Sequence, residues 1–346
     1  MNYFVTGATG FIGKFLLEKL LAREDAKVYV LVRKSSAEKF EALKARYGAA
    51  GSKLVPLWGD ITTPGLVSPA DFKKLAGKVD HVFHLAAVYD MSMSDEEGDK
   101  INNEGTRNAV AFVNDLGGPA VLHHVSSVAV AGSDYVGTFR ENMFDEGQSV
   151  DHPYYRSKFQ SEAIVRNESK VPFRIYRPGV VVGHSETGEM DKIDGPYYFF
   201  KLIQRIRQML PPWMPTVGLE GGRVNIVPVD FVVNAINVIS HQPSIGKKCF
   251  HLVDPVGYRV GDVLDIFSRA AHAPRMNLFV NAALLGFIPK GIKKSLMAIA
   301  PVRRVRNAVL KDLGLPEDML TFVNYPTRFD CRETLAALKG SGVQCP

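Results

Sequence analysis

The chain has 346 residues, 46% of them apolar and 23% charged, with a formal net charge of +6. These proportions describe a folded globular protein and exclude a disordered or collagen-like chain. No uncharged apolar run reaches the roughly 18 residues a spanning helix needs, no signal peptide fits ahead of the first strand, and three cysteines without metal-ligand spacing (Cys249, Cys331, Cys345) suit a reduced, cytoplasmic setting with no metal site.

Tyr3 to Val5 is a short apolar run that meets glycines at positions 7, 10 and 13. Phe11, Phe15, Leu16, Leu20 and Leu21 then share one face of a helix. The pattern is strand, Gly-rich turn, helix. Thr6 closes the strand and Gly7 permits the tight turn. Gly10 lets backbone approach a pyrophosphate, and Gly13 lets the helix pack close to the strand. The helix N-terminus, at Phe11 and Ile12, faces the phosphates. The spacing is GxxGxxG rather than GxGxxG. The flanking strand and helix separate it from an ordinary glycine turn.

Strand-like and helical stretches then alternate. Lys27 to Val32 reads as a second strand that ends in Arg33-Lys34-Ser35. An NAD-preferring site places an acid here for the ribose 2′-hydroxyl, whereas a cation suits the extra 2′-phosphate of NADP. Helical period follows over 37–47, and Leu54 to Leu57 reads as a third strand. Asp60 and Ile61, just after it, are placed to contact the adenine. Val79 to Leu85 reads as a fourth strand, closing on His84-Leu85-Ala86-Ala87, where backbone can lie close to a cofactor. Asp95-Glu96-Glu97 suits a helix start. Helical period covers 102–116 and 154–167, and Val121 to Val125 and Phe173 to Tyr176 read as strands five and six. The alternation predicts an α/β fold: a Rossmann-type, doubly wound parallel sheet with right-handed crossovers and a ligand across the carboxyl ends of its strands.

After Gly183 the pattern loosens, with Pro211-Pro212-Trp213-Met214-Pro215 and Gly221-Gly222 as punctuation. Residues 1–183 read as the dinucleotide-binding core. Residues 184–225 and 257–330 read as a smaller, mostly helical substrate-side region. Residues 226–256 return to the core through a helix at Asp230 to Ile239 and a strand at Lys248 to Leu252. Nine basic residues and no acid lie between Ile266 and Lys311, leaving the rest of the chain at about −3. Apolar side chains interleave with them. The stretch is either a solvated face or a surface for CoA phosphates or lipid head groups, which would add peripheral membrane contact. Nucleic acid is disfavoured, because no binding motif accompanies the charge.

Tyr154 and Lys158 stand four residues apart and share a helix face. An ammonium beside a phenol favours the phenolate and lowers its pKa from about 10. Such a tyrosine can exchange a proton near neutral pH. Ser126 and Ser127 end the fifth strand, at the edge where the site should be. A serine hydroxyl there can hold a substrate carbonyl. Serine, tyrosine and lysine together describe carbonyl reduction or its reverse, with hydride from nicotinamide to carbon and a proton from tyrosine to oxygen.

Gly7/Gly10/Gly13, His84 to Ala87, Ser126-Ser127, Tyr154/Lys158 and Tyr176-Arg177-Pro178-Gly179-Val180-Val181-Val182-Gly183 resemble the extended short-chain dehydrogenase/reductases. The resemblance implies that Pro178, Gly179 and Val181 bracket the nicotinamide. It also implies that Asn102-x-x-Gly105-Thr106 is the family's Asn motif, with Asn103 where Val is usual. By the family spacing to Gly132, Ser127 rather than Ser126 is the catalytic serine. Further strings are similar to the N-terminal domain of bacterial two-domain fatty acyl-CoA reductases: His184 to Asp191, Gly195 to Phe200, Asn225 to Val232 and Tyr325 to Asp330. That resemblance implies a C-terminal second reductase domain in a parent protein, which converts acyl-CoA through aldehyde to fatty alcohol.

The leading expectation is an NADP(H)-dependent reductase of long-chain fatty aldehydes, with acyl-CoA thioesters as a second candidate substrate. Tyr197, Tyr198, Phe199, Phe200, Trp213 and Met214 suit an acyl groove. His184 reads as structural. Competing readings are a hydroxysteroid- or flavonoid-type reductase of the same family, and a non-catalytic NADP-sensing protein. The intact Tyr154/Lys158 pair argues against the last.

Overall fold

Seven short runs rich in β-branched and aromatic residues line up as one parallel sheet. They are β1 (Asn2–Thr6), β2 (Lys27–Val32), β3 (Leu54–Trp58), β4 (His81–His84), β5 (Val121–Val125), β6 (Phe173–Pro178) and β7 (Lys248–Leu252). The strand order is 7-6-5-4-1-2-3, and every adjacent pair is parallel. The computed structural model describes residues 1–88, 94–191, 195–214, 216–220, 222–243, 246–281 and 326–346. The strands read as nearly continuous apolar runs because both faces of the sheet are covered. All of β6 is buried.

The two faces follow the period of two along each strand. On one face Tyr3, Val5, Val30, Phe83, Tyr176 and Phe250 meet Leu16, Leu17 and Leu20 of α1 (Phe11–Leu21), Phe40 of α2 (Ala37–Arg46) and Val232 and Ile236 of a helix at Val229–Ser240. On the other, Phe4, Val82, Leu122 and Ile175 meet Val110 and Val113 of a helix at Gly105–Leu116 and Ile164 and Val165 of a helix at Pro153–Glu168. These faces hold the doubly wound architecture together.

Most expected elements are present, with shifted ends. The third strand extends to Trp58 and the sixth to Pro178, while the fourth spans only His81–His84. The helix α3 (Pro69–Leu75) was not expected, because seven residues are too few to show a period. Local chemistry starts it: Ser68 accepts from the Asp71 N–H at 3.1 Å, and Pro69 fills the first turn. The helix expected over 102–116 is regular α only in α4 (Gly105–Leu116). Gly98–Glu104 ahead of it is a π-helix. The wider turn lets two adjacent asparagines both point inward. Asn102 reaches Val88 and Ser157, and Asn103 reaches Asp99 and Gln160. The remaining helices of this sheet are α5 (Pro153–Glu168), α6 (Val229–Ser240) and α7 (Arg332–Leu338).

The chain divides into two compact units. The first is Met1–Met190, Val227–Pro255 and Thr327–Pro346, and the second is Asp191–Ile226 and Val256–Pro326. Residues 184–190 and 327–330, expected on the substrate side, therefore belong with the sheet. Glu189 ties the former to Lys14 and Arg46, each at 2.8 Å. The latter are held by Thr327–Phe329 pairing in parallel with Gly137–Phe139. The buried Glu141 carboxylate docks the start of α7, accepting from the Thr334 hydroxyl and the backbone N–H groups of His251, Glu333 and Thr334.

The second unit combines helix and strand among its described residues. Its helices Phe199–Met209 and Val260–Ala270 are accompanied by two strand pairs. Thr216–Glu220 lies parallel to Met276–Asn281, and Arg223–Val224 antiparallel to Tyr258–Arg259. Tyr197 and Phe200 meet the Phe267 ring, and Phe199 packs on Val260 and Leu264, so these aromatics serve the unit's own core. Trp213 is 79% exposed. Of the basic stretch, Arg269 and Arg275 both pair with Asp265, and Lys290 to Lys311 lies outside the described residues. Among the described residues no helix is long and apolar enough to cross a membrane.

The first sheet face carries a polar row inside the core. Tyr3 OH meets His241 Nε2 at 2.8 Å, His81 Nδ1 meets His123 Nε2 at 2.9 Å, and His123 Nδ1 meets Tyr176 OH at 3.0 Å. Burial lowers His81 to about 4 and His123 well below the usual histidine range. Burial likewise lowers His84 and His251 to about 3. In the unfolded chain these rings protonate near their ordinary value of about 6.5. Protonation therefore favours unfolding. Stability should be complete above about pH 6.5 and fall as the pH drops toward 4, by up to about 1.4 kcal/mol per pH unit for each buried ring. Urea unfolding at a series of pH values measures this. A stability unchanged between pH 7 and 5 would contradict it.

Candidate functional site

The turn from β1 to α1 runs against the end of β4. Gly7 has φ +73, and a Cβ there would lie 2.5 Å from the Ala86 nitrogen. A Cβ on Gly13 would collide with the Gly7 carbonyl. The two glycines thus let three backbone segments converge: the turn, the first turn of α1, and Leu85-Ala86. Gly10 is the exposed, extended N-cap of α1, with no side chain capping it. The N–H groups of a helix's first turn lack intrahelical acceptors, which is what an anion needs. Phe11 and Ile12, half-buried, anchor the turn in the core.

Polar bonds fix the neighbouring segments. Thr6 Oγ1 accepts from the Ala86 N–H at 3.3 Å and bonds His84 Nδ1 at 2.8 Å. The other His84 nitrogen bonds Thr106 Oγ1 at 3.1 Å, so one ring nitrogen donates and the other accepts. His84 is fully buried, and burial together with Lys158 keeps it neutral. Asn102 accepts from the Val88 N–H at 2.8 Å and donates to the Val88 carbonyl at 3.2 Å and to Ser157 Oγ at 3.1 Å. Its amide is thereby consumed in tying residues 86–88 to α5. Ala87 itself is exposed.

The N-cap of α5 is His152, whose Nδ1 accepts from the Tyr154 N–H, and Pro153 fills the first turn. Tyr154, Lys158 and Glu162 follow at helical spacing, all buried. Tyr154 OH lies 3.4 Å from Ser127 Oγ. Ser127 caps the short turn that follows β5 and also accepts from the Ala129 N–H at 3.1 Å. Ser126, its neighbour, turns the other way and donates to Glu162 Oε2 at 2.7 Å. Burial lowers the Lys158 ammonium to about 8, against the opposing pull of Glu162. A buried phenol, a half-buried hydroxyl and a readily deprotonated ammonium therefore occupy one patch at the carboxyl end of the sheet.

Other expected site residues are placed as follows. Pro178 is the buried end of β6, the Gly179 N–H donates to the Leu252 carbonyl at 3.1 Å, and Val181 is half-buried against the core. Asp60 Oδ1 accepts from the Thr62 N–H and hydroxyl, both at 2.9 Å, closing its own turn. The buried Ile61 offers its carbonyl to Asn108. Arg33 and Lys34 are exposed just after β2 and form no ion pair among the described residues. His184 rests on Phe15 with Nδ1 4.0 Å from Asp230, a packing role. Glu162, Ser157 and Glu189 were missed from sequence. Glu162 had a signal, since it repeats the four-residue step from Tyr154 to Lys158. Glu189 had none, because its partners are more than 140 residues away.

The profile of the Male sterility protein family of NAD-binding domains matches residues 5–236. The chain is 31% identical over 295 residues to a nonribosomal peptide synthetase, FrzA, of Cladobotryum sp, covering 78% of this chain and 28% of that protein. It is 31% identical to the aldehyde reductase lnbA of Aspergillus flavus, covering 73% and 26%. It is 29% identical to a putative fatty acyl-CoA reductase of Drosophila melanogaster, covering 68% and 53%. Among solved structures, the terminal R domain of the myxalamid PKS-NRPS pathway superposes with a TM-score of 0.75 at 28% identity, covering 100% of this chain and 86% of that one. The chain thus spans about a quarter of the length of FrzA and lnbA.

The glycine cradle yields a direct test. An alanine at Gly7 adds backbone strain on the order of 1–3 kcal/mol as well as the contact with Ala86. Gly7→Ala should weaken nicotinamide nucleotide binding by about tenfold or more, with far-UV dichroism unchanged. Fluorescence titration measures it, and wild-type affinity in the variant would rule the cradle out as the nucleotide site.

Proposed function

The chain belongs to the Male sterility protein family of NAD-binding domains, and on that footing we propose that it reduces an apolar aldehyde to the alcohol with NADPH. It is a nicotinamide-nucleotide-dependent reductase domain with a Rossmann-type fold. The single observation that carries the finer reading is the 3.4 Å approach of Tyr154 OH to Ser127 Oγ on a helix that also buries Lys158. Two features support a nucleotide at this turn: Gly7 and Gly13 let the turn, α1 and Leu85-Ala86 close up backbone to backbone, and α1 presents an uncapped N-terminus. Thr6, Gly7, Gly10, Phe11, Ile12 and Gly13 would hold its phosphates, and Leu85 to Ala87, Asn102, Pro178, Gly179 and Val181 would frame the nicotinamide. Asp60 and Ile61 would flank the adenine.

When bound, the nucleotide supplies a hydride. The chain's own residues do the rest. Ser127 donates a hydrogen bond to the substrate carbonyl oxygen and orients it. Tyr154 transfers its phenolic proton to that oxygen as the alcohol forms. Lys158 stabilises the phenolate left behind and bonds the ribose. One hydride and one proton complete an aldehyde reduction, and this side-chain set offers no further catalytic group that the step requires. Arg33 and Lys34, exposed at the end of β2, would take the 2′-phosphate.

A second reading is favoured by the match to a terminal R domain over the whole chain. In it the substrate is a thioester, whose reduction gives a hemithioacetal that collapses to aldehyde and thiol. A parent protein with further domains would then present the acyl group. CoA and carrier thioesters, and a membrane surface for the basic 266–311 stretch, belong to this reading.

NADPH oxidation should be followed with decanal and palmitoyl-CoA separately. Decanal turnover should fall by about 10²–10⁴ in Tyr154→Phe, the usual worth of a general acid. Turnover of palmitoyl-CoA with thiol release, and none of decanal, would replace the first reading with the second. Arg33→Asp should shift the preference from NADPH toward NADH by about tenfold or more, read as the ratio of kcat/KM values. An unchanged ratio would remove Arg33 from the 2′-phosphate site.

A further inference from the structure

Beneath the catalytic patch lies a buried charge cluster that the reaction as proposed does not use. Glu162 is wholly buried, one helical turn past Lys158. Its carboxylate accepts from Arg177 Nε at 3.0 Å and Nη2 at 2.5 Å, from Arg166 Nε at 2.8 Å, and from Ser126 Oγ at 2.7 Å. Arg177 is itself fully buried. It donates to the Met143 carbonyl at 3.0 Å, meets His251 Nε2 at 3.1 Å, and lies over the Phe139 ring. Because arginine only donates, His251 Nε2 must accept, and its Nδ1–H donates to the Asp330 carbonyl at 2.7 Å. The bond pattern thus fixes the neutral tautomer.

One buried guanidinium, Arg177, and one half-buried one, Arg166, surround the buried carboxylate, and a third cation, the Lys158 ammonium, sits on the same helix face. A pair kept only for stability would not need this arrangement, since apolar side chains of similar volume commonly serve as well. Glu162 is also tied to the surroundings of the catalytic patch in two ways. It bonds the serine next to Ser127, and it stands on the helix stripe of Tyr154 and Lys158.

We propose that Glu162 is a positioning residue for the Ser127–Tyr154–Lys158 site, holding Lys158 as an ammonium and fixing the serine turn through Ser126. The proposal rests on the reading of Tyr154 and Lys158 given above. Burial drives the Lys158 ammonium toward its neutral form, and Glu162, one helical turn further along the same stripe, opposes it. Arg177, Arg166 and the Ser126 hydroxyl overcome burial to hold Glu162 at about 2, so it remains an anion across the working range. The other titratable groups facing the cluster are His84 from β4, His124 from β5, Cys249 and His251 from β7, and Glu141. The buried histidines are neutral, Cys249 is protonated, and Glu141 acts on Arg177 rather than on Lys158, so none of these replaces the Glu162 charge at Lys158.

Two substitutions should move Lys158 in opposite directions. Glu162→Gln removes the anion and should shift the Lys158 titration, and the alkaline limb of kcat, down by about one pH unit. Arg166→Met, at a side chain 24% exposed, removes a competing cation and should shift both upward. The titration is read by NMR of the side-chain Cε and Nζ signals in protein grown with 13C,15N-lysine and kept nucleotide-free, with Lys158→Met to assign the signal, so it needs no turnover. Ser126→Ala should lower kcat about tenfold while KM for NADPH stays put, since only the serine turn is loosened. A folded Glu162→Gln protein with an unmoved Lys158 titration would overturn the proposal. If that variant does not fold, an unmoved titration in Arg166→Met would do so. Full activity in Tyr154→Phe would instead overturn the underlying reading and leave the titration result standing.

Discussion

The site depends on one topological constraint. β1 lies between β2 and β4, so the chain leaves it toward one side of the sheet and returns on the other. At that point the connections diverge and a crevice opens at the carboxyl ends of the strands. The crevice can take a nucleotide only if backbone comes close on both sides. Gly7 and Gly13 achieve this, because any side chain there would meet Ala86 or the Gly7 carbonyl. Everything that follows is arranged around this edge. β4 delivers Leu85 to Ala87, β5 delivers Ser126 and Ser127, and β6 delivers Pro178 and Gly179.

The interior behind the edge is unusually polar for an α/β sheet. A row of tyrosine and histidine crosses the first face, and a carboxylate–guanidinium cluster sits under the second. Such groups are costly to bury unless each finds a partner. Here they connect distant parts of the chain. Asp330, near the C-terminal helix, reaches His251, then Arg177, then Glu162, then Ser126 beside Ser127, the proposed catalytic serine. The polar interior thereby holds the end of the chain and the reaction edge in one bonded framework. Glu141 adds a second tie between the same C-terminal helix and β7.

The resemblance to extended short-chain reductases and to fatty acyl-CoA reductases agrees with the family match and with the relatives found. The relatives widen the chemistry, since they include a synthetase and an aldehyde reductase, each several times longer than the matched region. The same edge geometry would suit either proposed substrate, because both reactions begin with hydride and proton delivery to one carbonyl. In the second unit Phe199, Phe200 and Tyr197, expected to line an acyl groove, pack on Val260, Leu264 and Phe267.

The amino-acid sequence by itself determined the features that depend on near neighbours. β2, β5 and β7 were legible to the residue, because apolar runs and flanking turns are local signals. The glycine turn and the Tyr154/Lys158 stripe were legible for the same reason, since each follows from fixed spacing along one element. The helix α3 and the π-helix at Gly98–Glu104 were not, one being too short to show a period and the other a short stretch of wider turn whose spacing carries no signal of its own. Tertiary structure decided the rest. It turned Ser127 toward Tyr154 and Ser126 toward Glu162, a choice set by partners 27 and 36 residues away. It joined residues 184–190 to the sheet through Glu189, whose cations lie on α1 and α2. Spacing along the chain cannot encode such pairings, because they exist only once strands and helices have packed and brought remote side chains within bonding distance.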